Sequence, residues 1–117
     1  MTTETKRPGA STFIALEVAL ETIASLRGVV AMVRRRDVKL AQQIVDAASS
    51  VAANLAEGNR RQGKDRLHFF RIAAGSADET RAHLRVAVAW DWVRHQDIEV
   101  AMQCLDRQLA LLWRLTN

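Results

Sequence analysis

Ile98, Met102, Leu105, Leu109 and Leu112 follow one another at steps of four, three, four and three residues. That alternation keeps five large apolar side chains on one side of an α-helix. It is also the period of helices packed side by side in a bundle. A chain carrying such a stripe needs partner helices, and the rest of the sequence supplies three. The first expected helix is capped by Ser11 or Thr12 and carries Phe13, Leu16, Leu20, Ile23, Val30 and Val33 on one stripe. Arg34, Arg35 and Arg36 end it, where cations suit the dipole, and Asp37 caps a second helix running to Glu57. Gly58 is expected in the left-handed position that closes a helix. A third helix is expected over about 64–93, and a fourth from Gln96 or Asp97.

Composition agrees. Among 117 residues there are one Pro and five Gly, too few for the recurrent turns of a β-rich fold. The apolar share of 49% is enough for a core without staples. Residues 1–10 read as a polar tail and 11–117 as one domain. Short connections make neighbours antiparallel, so the expected fold is an all-α, up-down-up-down four-helix bundle. The longest charge-free run, 47–56, is far short of the ~20 apolar residues of a membrane span. Nothing at the N-terminus resembles a cleaved export signal, so the expected location is cytoplasmic, without a membrane partner.

The second helix carries a face that composition does not explain. Ser50, Asn54 and Glu57 lie on one side of it, at spacings of four and three. Val38, Ala41, Ile44, Val45, Ala48, Val51, Ala52 and Leu55 form its apolar half. Ser50 and Glu57 fall opposite, with Asn54 at the boundary beside Ala47. A solvated face is one reading; the other is a brace against the third helix or a neighbouring subunit. Antiparallel packing would bring Asn54 and Glu57 near His68 and set Ala47 against Gly75. Glu57, poorly placed at a helix C-terminus, would take His68, Arg61 or Arg71 as partner.

Helix three is apolar nearly all round. Phe69, Ile72, Ala73, Ala87 and Trp90 occupy one arc, and Leu67, Phe70, Ala74, Ala77, Leu84, Val88 and Trp92 another. Such a helix must be covered on more than one side, which points to a homo-oligomer. Within it Glu79 and His83, one turn apart, are expected to pair, since a buried carboxylate needs a partner.

Chemistry-bearing patterns are sparse. The one Cys104 excludes an internal disulfide and a multi-cysteine zinc site. A di-iron bundle needs Glu-x-x-His twice, and Glu79–His83 is one residue too long and occurs once. No catalytic residue, metal or cofactor is therefore expected. The net charge is +4 and 14 of the 17 basic residues are Arg, which suits planar contacts to phosphate. Two basic groups stand out: Arg34–Arg36, and Arg60, Arg61, Lys64 and Arg66. They sit at opposite ends of helix two, ~30 Å apart by its rise, and cannot form one patch in one subunit. Trp90, Trp92 and Trp113 could stack on bases, but at helical spacing among aliphatics they read as core or interface residues.

Two stretches resemble a known family. "ASSVAANLAEG" followed by "HFFRIAAGSADE" is similar to the four-helix-bundle proteins encoded in intervening sequences of 23S ribosomal RNA genes, and to accessory proteins of diversity-generating retroelements. The matching positions are Gln43, Ala47, Ser50, Asn54, Ala56, Glu57 and Gly58, then Phe69, Ile72, Ala73, Gly75, Ser76 and Glu79. The resemblance implies a bundle assembled into a ring, a pentamer in known members, without catalysis. The retroelement relatives bind RNA and a reverse transcriptase through a basic surface. This chain has Val45 and Asp46 where the family pattern has two arginines, and an Arg-rich loop where it has Gly and Ser.

The functional expectation is a non-enzymatic homo-oligomer that contacts RNA, or DNA, through Arg60, Arg61, Lys64, Arg66 and Arg71. Ser50, Asn54, Glu57, His68, Phe69, Phe70, Gly75, Ser76, Glu79 and His83 are expected to act structurally or at the subunit interface. The competing expectation is a structural or protein-adaptor ring with no nucleic-acid partner.

Overall fold

The computed structural model describes residues 13–117; the expected tail and the Ser11 or Thr12 cap lie outside them. Four α-helices account for nearly all of this span: α1 (Ile14–Arg34), α2 (Val38–Asn59), α3 (Gly63–Ala89) and α4 (His95–Thr116). Each packs on its sequence neighbours, most extensively α2 on α3, and α4 closes back on α1. Among the described residues there is no strand, and no helix is long and apolar enough to cross a membrane.

The core runs the length of the bundle through Phe70, Ile44, Leu55, Leu84, Leu105 and Leu112, all fully buried. Burial of each such side chain stabilises the fold by about 1.5–3 kcal/mol. The ring centroids of Phe13 and Phe70 are 5.9 Å apart, which ties the start of α1 to α3. On α4 the expected stripe holds: Ile98, Leu105 and Leu112 are buried, with Met102 and Leu109 packed against the core.

On α1 the expected stripe holds in part: Val33 is buried, and Phe13, Ile23 and Val30 pack against the core. The buried face is Ala15, Val18, Ala19, Thr22, Leu26, Val29 and Val33, while Leu20 is exposed. Small residues let α1 approach its neighbours closely, and Thr22 satisfies its hydroxyl by donating to Val18 O at 2.8 Å. Gln108 is fully buried on α4 and donates from Nε2 to Ala15 O at 3.1 Å. Its Oε1 finds no partner among the described residues.

The helix ends hold three corrections and one agreement. Asp37 caps α2 as expected, accepting from Leu40 N at 3.0 Å. Gly58 is not left-handed; it is buried within α2, and the left-handed glycine of this connection is Gly63, at φ +60. The third helix stops at Ala89 rather than near Val93. There Asp91 takes φ 64, Trp92 N donates to Ala87 O at 3.0 Å and Asp91 N to Val88 O at 2.8 Å. These two bonds form a Schellman closure, with Asp where Gly is usual. The chain then turns Val93 into the core. Finally α4 begins at His95, just before the expected Gln96 or Asp97.

Candidate functional site

At the corner where α2 hands over to α3 the expected basic group meets part of the expected structural group, Glu57, His68, Phe69 and Phe70. Gly58 is the pivot. A side chain there would place its Cβ 2.6 Å from Phe70 Cε1 and 3.2 Å from Phe69 Cβ, so only glycine lets α3 lie this close. Arg66, in the first turn of α3, reaches back to the end of α2. It donates from Nε to Gly58 O at 3.2 Å and from Nη2 to Asn59 O at 3.1 Å. Gly58 O also accepts from Arg61 N at 3.0 Å, and both carbonyls lie at the helix C-terminus, where a cation is favoured.

Arg61 is engaged too. Its Nε donates to Glu57 Oε2 at 2.7 Å, Asp65 lies 3.9 Å away, and the guanidinium sits 5.1 Å from the Phe69 ring centroid. Of the three candidate partners for Glu57, the structure selects Arg61. That hydrogen bond, with the charges of Arg60 and Arg61, holds the Glu57 carboxyl below its usual range. Arg60, Lys64 and Arg71 are exposed and have no acidic partner among the described residues. The five-residue basic group therefore divides into two that hold the corner together and three that face outward.

The polar face of α2 turns toward α3. Ser50 Oγ lies 2.8 Å from Ser76 Oγ, and Asn54 Nδ2 donates to Ser50 O at 2.8 Å and to Ser50 Oγ at 3.0 Å. Ser76 is buried, and its carbonyl accepts from Thr80 Oγ1 at 2.8 Å. Ser50 meets α3 directly, mid-helix rather than at its start, while Asn54 bonds only Ser50 on its own helix. His68 is exposed with its ring edge on Phe69, and the partners of Asn54 and Glu57 are Ser50 and Arg61. α2 is flanked by both α1 and α3, so its buried arc is wider than one apolar half and takes in Ala47, with Ser50 half-buried at its edge.

The outer face of α3 carries His68, Ile72, Gly75, Glu79, Ala82, Val86 and Ala89, all exposed. These too step by four and three, on the side away from the buried Phe70, Ala73, Ala77, Thr80, Leu84 and Ala87. Ile72 and Val86 are 38% and 42% exposed. Gly75 does not meet Ala47: a Cβ there has nothing within 4 Å. The Glu79–His83 contact forms at 3.3 Å, yet the Glu79 side chain is 58% exposed, so this carboxylate is not a buried one. The outer face is half apolar and open.

The turn between α3 and α4 holds a feature that the sequence pattern does not show. Trp90 and Trp92 stack there, with centroids 5.7 Å apart and planes 15° apart, and Trp90 is 64% exposed. Helical spacing concealed this, because the left-handed Asp91 folds two residues that a helix would separate onto one another. Arg94 follows, with its backbone N–H 2.8 Å from Asp97 Oδ2 and its guanidinium 3.2 Å from Oδ1. Those bonds lower the Asp97 carboxyl and raise the Arg94 guanidinium from their ordinary values. Among the described residues no group of three His, Cys, Asp or Glu is arranged to hold a metal.

A family model described as "23S rRNA-intervening sequence protein" matches residues 15–114. A crystal structure of a protein of unknown function from the S23 ribosomal protein family of Bacteroides thetaiotaomicron is similar in fold, with a TM-score of 0.79 at 18% identity. The alignment covers 88% of this chain and 98% of that one. A search of curated proteins gives no match.

Proposed function

Because the chain belongs to the 23S rRNA-intervening sequence protein family, we propose that it is a non-enzymatic scaffold that self-associates through α3 and contacts RNA with the corner after α2. The single observation that carries this reading is the outer face of α3. Its residues repeat with the period of a helix-packing seam and lie open to solvent. A second copy covering Ile72, Gly75, Ala82 and Val86 would remove that exposed apolar surface. A ring follows if the covering surface is a different one, and five subunits is the number implied by the family resemblance.

Within each copy we read the helices as up-down-up-down. The order of contacts supports this. Between α2 and α3, Ser50 meets Ser76 and Gly58 meets Phe70, so one chain position rises as the other falls. Ile23, Leu26 and Val30 line a groove with Ile44 and Ala48, and Arg81 reaches Asp106 while Val88 lies beside Ile98 and Met102.

Arg60, Lys64 and Arg71 supply the outward charge for phosphate, on a corner that Arg61 and Arg66 hold in shape. In a ring this corner would repeat once per subunit, and the potentials would add. Structured RNA is expected to bind at low salt and to be released as salt rises. Replacing Arg60, Lys64 and Arg71 together by Ala should remove most of that binding without changing native mass. Undiminished binding would reject the RNA contact. The competing reading, an adaptor ring for a protein, is favoured by the same apolar face; copurification of a particular protein without nucleic acid would support it.

A further inference from the structure

The α3–α4 turn puts an open indole stack at the other end of α2 from the corner just described. We propose that this end of the bundle is a second nucleic-acid site, one that takes single-stranded segments by base stacking on Trp90. The proposal rests on the helix order read above, which brings the α1–α2 connection beside the α3–α4 turn. It does not require the α2–α3 corner to bind RNA.

Three observations converge. Trp90 is 64% exposed at a helix end, and its ring lies nearly parallel to that of Trp92 at 5.7 Å. Trp92 is half-buried against the core and anchors the pair. The turn itself is set by backbone: Asp91 at φ 64 and the bonds of Trp92 N to Ala87 O and Asp91 N to Val88 O bring the two indoles to one side of it. A pre-set aromatic platform offers a base a stacking surface without ordering a loop first.

The charges around it suit a phosphate backbone. Arg34, Arg35 and Arg36 are exposed at the end of α1, Lys39 is exposed in the first turn of α2, and none has an acidic partner among the described residues. Two of the nearby acids are committed, Asp37 capping α2 and Asp97 holding Arg94, while Asp91 and, one turn into α4, Glu99 are exposed. With interaxial distances of about 8–10 Å, the whole end of a four-helix bundle is roughly 20 Å across. Arg34–Arg36 are therefore within reach of a strand whose base lies on Trp90. Duplex nucleic acid keeps its bases stacked internally, so the indole selects for unpaired ones.

The test uses the full chain carrying Trp113→Phe, an exposed position, so that the stacked pair are the only indoles. A short thymidine oligomer at low salt is expected to quench their fluorescence saturably. Trp90→Ala should weaken binding about tenfold, and Arg35→Ala with Arg36→Ala should weaken it and flatten its salt dependence. Arg60→Ala with Lys64→Ala should leave the quenching in place even where it weakens structured RNA, which separates this site from the corner. Four results would overturn the proposal: no quenching at low salt; equal quenching by a blunt duplex; quenching indifferent to Arg35 and Arg36; or emission that follows protein dilution and not the oligomer, which would assign the indole to a neighbouring copy. Circular dichroism on each variant confirms retained helix.

Discussion

A methyl group on Gly58 would lie 2.6 Å from Cε1 of Phe70, inside any distance that carbon atoms tolerate. Helix propensity alone makes Gly→Ala favourable by about 1 kcal/mol in a helix interior. Here packing reverses the sign, because Phe70 is fully buried and has no space to yield. Gly58→Ala is expected to destabilise the protein by about 1–3 kcal/mol in urea titration. Adding Phe70→Leu should restore part of the loss, which an effect of the backbone alone would not allow.

Asp91 closes α3 in a conformation that favours glycine. Asp91→Gly should stabilise the bundle by up to ~1 kcal/mol, and Asp91→Ala should destabilise it, since only the Cβ distinguishes them there. Equal midpoints for the two variants in denaturant would show that the turn is not under strain.

Gln108 is buried with Oε1 unpartnered among the described residues. An unmade hydrogen bond of this kind costs about 1–3 kcal/mol. Gln108→Leu gives up the donor to Ala15 O as well, but that carbonyl keeps its place within the α1 ladder. The variant is expected to melt several degrees higher, at about 2–6 °C per kcal/mol for a chain of this size.

Acid should loosen two helix ends. Asp97 and Glu57 are held below their usual values of 3.8 and 4.5, by the bonds from Arg94 and Arg61 respectively. A lowered carboxyl contributes stability that is fully present above its unfolded value and is lost as pH falls through its folded value. Stability should therefore decline below about pH 4.5, and the decline should be shallower in Asp97→Asn. Both carboxylates are solvent-accessible, so added salt should shrink the difference.

Ile72→Glu with Val86→Glu places two charges on the open face of α3. If that face meets another copy, native mass should fall to that of one chain while helicity is retained. A mass equal to that of the parent protein would place the subunit contact elsewhere.

How much of this was legible beforehand divides by the kind of information. The α4 stripe and the Asp37 cap followed from spacing and from one side chain bonding its own backbone, both local. The α1 stripe is legible only in part: Phe13, Ile23, Val30 and Val33 reach the core, but Leu20 is exposed while Ala15, Ala19 and Thr22 face inward, where close approach favours small volume. Gly58 stands out in the sequence, but not for the left-handed turn its position suggests. A glycine near a helix end fits both a left-handed cap and a tight crossing, and the choice depends on where Phe70 arrives from another helix. At the α2–α3 corner the basic residues were visible as a group. Their division into bracing and outward-facing members was not, because Arg66 finds its partners in the carbonyls of Gly58 and Asn59, which no side-chain pattern advertises.

The Ser50–Ser76 contact works without formal charge. Two hydroxyls pin the register of α2 against α3, since sliding one helix by a turn of 5.4 Å would strand both. Neither hydroxyl titrates in the ordinary range and neither is shielded by ions. Washing the purified protein free of polyanions with concentrated electrolyte should therefore leave this alignment untouched, so an apo sample prepared that way remains a fair starting point for every binding measurement proposed above.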